Sequence, residues 1–191
     1  MNWEQLLSTQ RYRTGKIAKS NGKSDLRSEF EKDYHRIIGS ASFRRLQDKT
    51  QVFPLDKSDF IRTRLTHSLE VSSFAKSLGQ NIGENILTYK KDLSFTVQMK
   101  EDICNVLQCA GLIHDIGNPP FGHFGEDAIR EWFRDHLHTL EYHGKPLDEI
   151  LTPQMREDLY HFEGNAQAFR LVTKLHYLVD DRGMNLTYAL L

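Results

Sequence analysis

One helical stripe, and the way it stops, constrains this chain more than any other feature. Ile103, Val106, Leu107, Ala110 and Ile113 recur at three- and four-residue intervals, the period of a half-buried α-helix. Gly117 and the Pro119-Pro120 pair forbid its continuation. His114 extends the stripe, four residues after Ala110, and Asp115 follows it. An imidazole and a carboxylate therefore leave one helix end together, where an irregular turn can bend both toward a single point.

Similar spacing covers most of the chain and predicts an all-α fold, a bundle of helices. From Leu26 to Leu46 the positions Leu26, Phe30, Tyr34, Ile37, Ile38, Ala41 and Leu46 predict two helical pieces with a slip near Gly39. TQVFP, closed by Pro54, is a short strand or an extended loop. A long helix then begins near Arg64, with Val71, Phe74, Leu78 and Ile82 expected on its inward face. His67 stands four residues before Val71 and shares that face. Another helix is predicted from near His123, burying Phe124, Ala128, Trp132 and Phe133. His136 to Pro153 is polar and turn-rich. Leu159, Phe162, Ala166, Phe169, Leu171, Val172 and Leu175 resume the helical pattern. After a loop at Asp180 to Gly183, NLTYALL is expected to start a last apolar helix that runs to Leu191 without a cap.

A chain of 191 residues with 39% hydrophobic and 27% charged residues can bury one ordinary core, so one domain over residues 26–191 is expected, preceded by a polar arm over residues 1–25. Arg11, Arg13 and Lys16 in that arm are candidates for contacting a phosphate or a neighbouring subunit; a solvated tail fits the same residues. A formal net charge of -1 excludes a globally basic nucleic-acid glove and leaves a local basic pocket open. The N-terminus has no apolar signal core, and no run of about 18 apolar residues suggests a membrane span. The chain reads as cytoplasmic. Cys104 and Cys109 sit five apart in a helical pattern, which fits buried free thiols better than a redox or metal motif.

His67 and His114, each on an apolar helical face, would cost stability if left unsatisfied. Together with Asp115 they make a divalent-metal set more economical than two separately satisfied core histidines. His123 and Glu126 are three apart at a helix start and share a face. Two readings fit them: a carboxylate orienting an acid–base imidazole, and N-terminal capping favoured by the helix dipole. Arg44, Arg45, Lys49, Arg62 and Arg64 concentrate positive charge just before His67, as a polyphosphate pocket wall or as a solvated face.

FRRLQDKTQVFPL, RTRLTHSLEV, HDIGNPPFGHFGE and HFEGNAQAFRLV, in that order along the chain, resemble the motifs of the HD-superfamily deoxyguanosinetriphosphate triphosphohydrolases, the bacterial dGTPases. The resemblance implies an all-helical HD domain that converts dGTP, or another dNTP, to deoxynucleoside and tripolyphosphate. It implies His67, His114 and Asp115 as metal ligands, with Mg2+ the expected ion and Mn2+ or Co2+ as alternatives. His123 and Glu126 become the catalytic pair. Gln51 would lie against the deoxyribose and Asn165 would face the triphosphate, with Arg44, Arg62 and Arg64 as further candidates. A homo-oligomer, a hexamer, is implied as well.

The family completes its metal site with a second Asp, in a motif resembling EAADD on a later helix, and the chain has no such motif. Asp180 and Asp181 in LVDDRG read as a surface loop. The expectation is an N-terminal part of a longer enzyme, with an HD bundle incomplete at its C-terminus. Two alternatives remain open: an HD phosphohydrolase of other nucleotide specificity, and a non-catalytic nucleotide-binding or oligomerisation module lacking the fourth ligand.

Overall fold

The computed structural model describes residues 2–12, 25–49, 58, 60–89, 92–176 and 183–191. Helices α1 (Trp3–Leu6), α2 (Glu29–Gly39) and α3 (Ala41–Arg44) come first, and a 3-10 turn, Arg45–Asp48, follows them. Ser28 and Glu31 form a reciprocal capping box that starts α2. Ser40, in an extended conformation, ends α2 and caps α3 by accepting from the Phe43 N–H at 3.1 Å. The slip expected near Gly39 is this shared cap.

Two long helices follow, α4 (Arg64–Thr88) and α5 (Val97–Ile113), packed along each other. Their contact is built from small residues. On α4, Ser68, Ser72, Gly79 and Gly83 are buried; on α5, Cys104, Cys109, Gly111 and Leu112 are. A Cβ on Gly111 would stand 2.6 Å from the Ser72 Cα, so the backbones approach as closely as glycine permits. Ser72 Oγ donates to the Gln108 carbonyl at 2.8 Å across the seam.

This corrects the expected orientation of α4. Phe74, Leu78 and Ile82, expected inside, are 75%, 56% and 43% exposed. Close helix packing selects the face whose side chains are short, and the larger apolar stripe is rotated outward by about one residue, roughly 100°. His67, beside Ser68, sits at the edge of the packed face and is half-buried.

After a turn at His114 to Gly117 come α6 (Gly122–His136) and the 3-10 turn Leu137–Thr139. A two-residue hairpin follows, β1 (Glu141–Tyr142) pairing antiparallel with β2 (Lys145–Pro146). It is the only sheet among the described residues in an otherwise helical fold, as the sequence predicts. Then come α7 (Leu147–Ile150), α8 (Pro153–Tyr160), α9 (Gly164–Arg170) and a π turn, Leu171–Leu175. The helical pattern read from Leu159 to Leu175 is thus broken at Glu163, whose side chain caps α9 by accepting from the Ala166 N–H at 2.7 Å. On α6 the expected burial is reversed. Phe124 and Trp132 are 78% and 46% exposed, Ala128 is exposed, Phe133 is half-buried, and Glu126 is the buried residue.

The core joins Ile37, Phe43, Leu46, Cys109, Leu112, Ile116, Val172, Met184 and Leu186. Cys104 and Cys109 are free and buried, and burial pushes the Cys109 thiol up to about 12. The last segment forms no helix, contrary to the sequence expectation. Gly183 and Asn185 are left-handed, at φ 66° and 52°, and Met184 donates its N–H to the Val172 carbonyl at 2.8 Å. Asp33, fully buried, then takes both the N–H and the hydroxyl of Thr187, at 2.9 and 2.7 Å.

Arg11 closes the same cluster. Its guanidinium pairs with Asp33, bonds the Glu29 carboxylate at 3.0 Å and donates to the Glu29 carbonyl at 2.8 Å. Its place is a buried structural one, which explains why it is unavailable as the phosphate or subunit contact the sequence suggested. Trp3 in α1 packs on Phe95 with ring centroids 4.8 Å apart and donates to Asp92 at 2.8 Å. No helix among the described residues is long and apolar enough to cross a membrane.

Candidate metal and acid–base site

His114 is the C-cap of α5, its N–H bonded to the Ala110 carbonyl at 3.1 Å. Its ring Nδ1 lies 2.8 Å from the Gly111 carbonyl oxygen. A carbonyl only accepts, so Nδ1 carries the proton and Nε2 presents a lone pair. That Nε2 faces His67 Nε2 on α4 at 3.3 Å and Asp115 Oδ1 at 3.7 Å. One ligand atom from each of His67, His114 and Asp115 lies within 4.8 Å of the others. Donors that each stand about 2.0–2.2 Å from one ion are spaced like this, and two imidazoles with a carboxylate suit a borderline divalent cation. The residues fit a metal.

The Asp115 carboxylate is held on both oxygens. Arg64 Nη1 donates to Oδ2 at 2.8 Å, and the Asn118 amide donates to Oδ1 at 2.6 Å. Lys49 Nζ donates to the Asn118 carbonyl at 2.8 Å and secures the turn from the other side. Burial, then the Arg64 and Arg45 charges, hold the Lys49 ammonium below its usual range.

The His123–Glu126 pair is set by the entry to α6. Phe121 and Gly122 are both left-handed, at φ 66° and 57°. For a bulky residue such as Phe121 that conformation costs about 1–3 kcal/mol, which the surrounding contacts must offset. The two residues turn the chain so that His123 begins in solvent and Glu126 points inward. His123 Nδ1 and Glu126 Oε2 are 2.9 Å apart, with side chains 91% and 3% exposed. Glu126 Oε1 accepts the Gly164 N–H at 2.7 Å, and Arg130 stands 3.7 Å from Oε2. Burial pushes the Glu126 carboxyl up; the His123 bond, the Gly164 N–H and the His123 and Arg130 charges together outweigh it and bring it below its usual range. The hydrogen bond to Glu126, then its charge, raise the His123 imidazole above its ordinary value.

The remaining sequence candidates stand at varying distance from this centre. Arg64 is buried and bonded to Asp115. Arg62 is exposed and faces Glu70 at 3.3 Å. Arg44 is exposed at the end of α3. The Asn165 amide donates to Glu163 at 2.9 Å. Gln51 and the pair Asp180 and Asp181 lie outside the described residues. Sequence reasoning missed Asn118 and Gly164, which touch the site directly. Three-residue spacing from Asp115 pointed to the first; nothing local signalled the second.

A family model, the HD domain, matches residues 64–180, and the chain belongs to that phosphohydrolase family, whose metals are divalent. Over all 191 residues it is 60% identical to deoxyguanosinetriphosphate triphosphohydrolase-like proteins of Listeria innocua and Listeria monocytogenes. It is 47% identical to one of Pseudomonas aeruginosa. The chain spans 41% of the length of the Listeria relatives and 40% of the Pseudomonas one.

Proposed function

We propose that this chain carries the metal-binding and proton-transfer part of a triphosphohydrolase that converts dGTP, or another deoxynucleoside triphosphate, to deoxynucleoside and tripolyphosphate. The observation that carries the reading is the His67–His114–Asp115 donor set beside a buried Glu126 bonded to an exposed His123. The names of the three relatives support the substrate class.

His67, His114 and Asp115 would hold a divalent ion; the family resemblance implies Mg2+, with Mn2+ or Co2+ as alternatives. When bound it supplies Lewis-acid stabilisation of charge at the α-phosphate. Arg64 and Asn118 keep the Asp115 carboxylate oriented. His123, with Nδ1 engaged by Glu126, offers a solvent-facing N–H at Nε2. As water adds to the α-phosphorus and the bond to the deoxyribose oxygen breaks, that oxygen takes the Nε2 proton; the water's own proton passes to solvent. Gln51 against the deoxyribose, and Asn165, Arg44, Arg62 and Arg64 along the triphosphate, complete the reading. The working assembly is a homo-oligomer, a hexamer by family resemblance.

A non-catalytic nucleotide-binding module is the second reading, favoured by one observation: the donor cluster among the described residues has three protein ligands. Incubating the chain with each dNTP and Mn2+, then separating the products by ion-exchange chromatography, distinguishes these. Tripolyphosphate release is expected. Orthophosphate release points to an HD phosphohydrolase of other specificity, and binding without turnover to the module.

A further inference from the structure

The turn after the His–Asp pair interlocks with the first turn of α9 through two glycines. A Cβ on Gly117 would lie 2.1 Å from the Ala168 nitrogen and 2.3 Å from the Gly164 carbonyl oxygen. A Cβ on Gly164 would lie 1.9 Å from Asn118 Oδ1 and 2.7 Å from Glu126 Oε1. Neither glycine is left-handed, so the requirement is space rather than conformation.

At Gly164 the two halves of the site meet. Its N–H donates to Glu126 Oε1 at 2.7 Å, and the room left by its missing side chain is filled by the Asn118 amide oxygen. The nitrogen of that same amide holds Asp115 Oδ1 at 2.6 Å. We propose that Gly164, acting through Asn118, is a positioning residue that fixes the Asp115 carboxylate of the metal cluster relative to the Glu126 carboxylate of the proton-transfer pair. The inference rests on the metal-hydrolase reading above. A methyl group at position 164 pushes the Asn118 amide off Asp115 and the Glu126 carboxylate off His123. Asp115 keeps its Arg64 partner, so the cluster loosens without dispersing.

The test uses the whole chain with Gly164→Ala, Asn118→Ala and the double variant. Mn2+ affinity is read by titration calorimetry and the His123 midpoint by NMR titration. Residues orienting a metal ligand are worth about 10–100-fold in affinity. Gly164→Ala is expected to weaken Mn2+ by about tenfold or more on that scale and to lower the His123 midpoint as Glu126 withdraws. Asp127 and Arg130 also act on His123 and are unchanged. Asn118→Ala weakens Mn2+ similarly and leaves the His123 midpoint in place. In the double variant Mn2+ weakens no further than in Asn118→Ala, because no amide remains to be displaced. Additive losses, or Gly164→Ala with both readouts unchanged, overturn the proposal. Should Gly164→Ala not fold, Asn118→Ala decides: unaltered Mn2+ affinity refutes it. A wild-type chain that binds no Mn2+ refutes the metal reading instead, and the His123 midpoint in Gly164→Ala still decides whether Gly164 positions Glu126.

Discussion

Asp33→Ala is expected to cost the chain a large part of its folding stability, about 3–5 kcal/mol. Asp33 is fully buried and accepts from Arg11, Arg36 at 3.2 Å, and both the N–H and hydroxyl of Thr187. Removing one partner of a buried ion pair leaves the other charge without compensation and costs about 3–5 kcal/mol. That is comparable with the whole stability of many domains, about 5–15 kcal/mol. The substitution also frees two donors that hold the 183–191 segment against α2. Urea denaturation followed by circular dichroism measures it. A midpoint shift equivalent to less than about 1 kcal/mol, the scale of an exposed ion pair, contradicts this account of the cluster.

His123→Ala is expected to lower dNTP turnover by about 10²–10⁴-fold, the usual contribution of a positioned acid or base, while Mn2+ affinity stays near wild type. The imidazole is in solvent and outside the donor cluster, so nothing in the metal site depends on its bulk. Equal loss of both properties would sink the assignment. The pH dependence has a definite sign. His123 is raised above its ordinary value, about 6.5, so the protonated acid form persists past that pH and turnover falls as pH climbs through the raised value. Glu126→Gln removes the cause and moves the fall to lower pH. For stability, the pair's contribution is fully present below about 6.5 and is lost as pH rises through the raised His123 value. At the acid end, the Glu126 contribution is present above about 4.3 and is lost as pH falls through its lowered value.

The donor set was legible in the sequence because helix geometry alone relates the residues within each element. His114 follows Ala110 by one turn and is stopped beside Gly117, and His67 precedes Val71 by one turn on a predicted helix. Their meeting across α4 and α5 is tertiary: His67 lies on the stripe that is rotated outward and reaches His114 from the edge of the packed face. The same logic misjudged Phe74, Leu78 and Ile82. Counting large apolar side chains cannot tell a helix that packs through its largest residues from one that packs through Ser72, Gly79 and Gly83. On α6 it likewise assigned burial to Phe124 when the buried group is Glu126, a carboxylate whose burial is made tolerable by partners far away in sequence.

Other failures have the same origin. NLTYALL has the composition of a helix, but Asp33, 154 residues from Thr187, takes the Thr187 N–H and hydroxyl, and Asn185 turns left-handed before it. Gly164 falls inside the helical pattern read from Leu159 to Leu175. Its importance lies in a contact with Asn118 and Glu126, 46 and 38 residues earlier, that no local pattern encodes.

The proposed chemistry depends on His67, His114 and Asp115 sharing one ion. Metal analysis after equilibrium dialysis against Mn2+, on the wild-type chain and on His67→Ala, His114→Ala and Asp115→Ala, decides this. One equivalent is expected in the wild type, with most of it lost in each of the three variants and all chains folded by circular dichroism. One equivalent retained in all three variants would place the ion elsewhere and contradict the assignment.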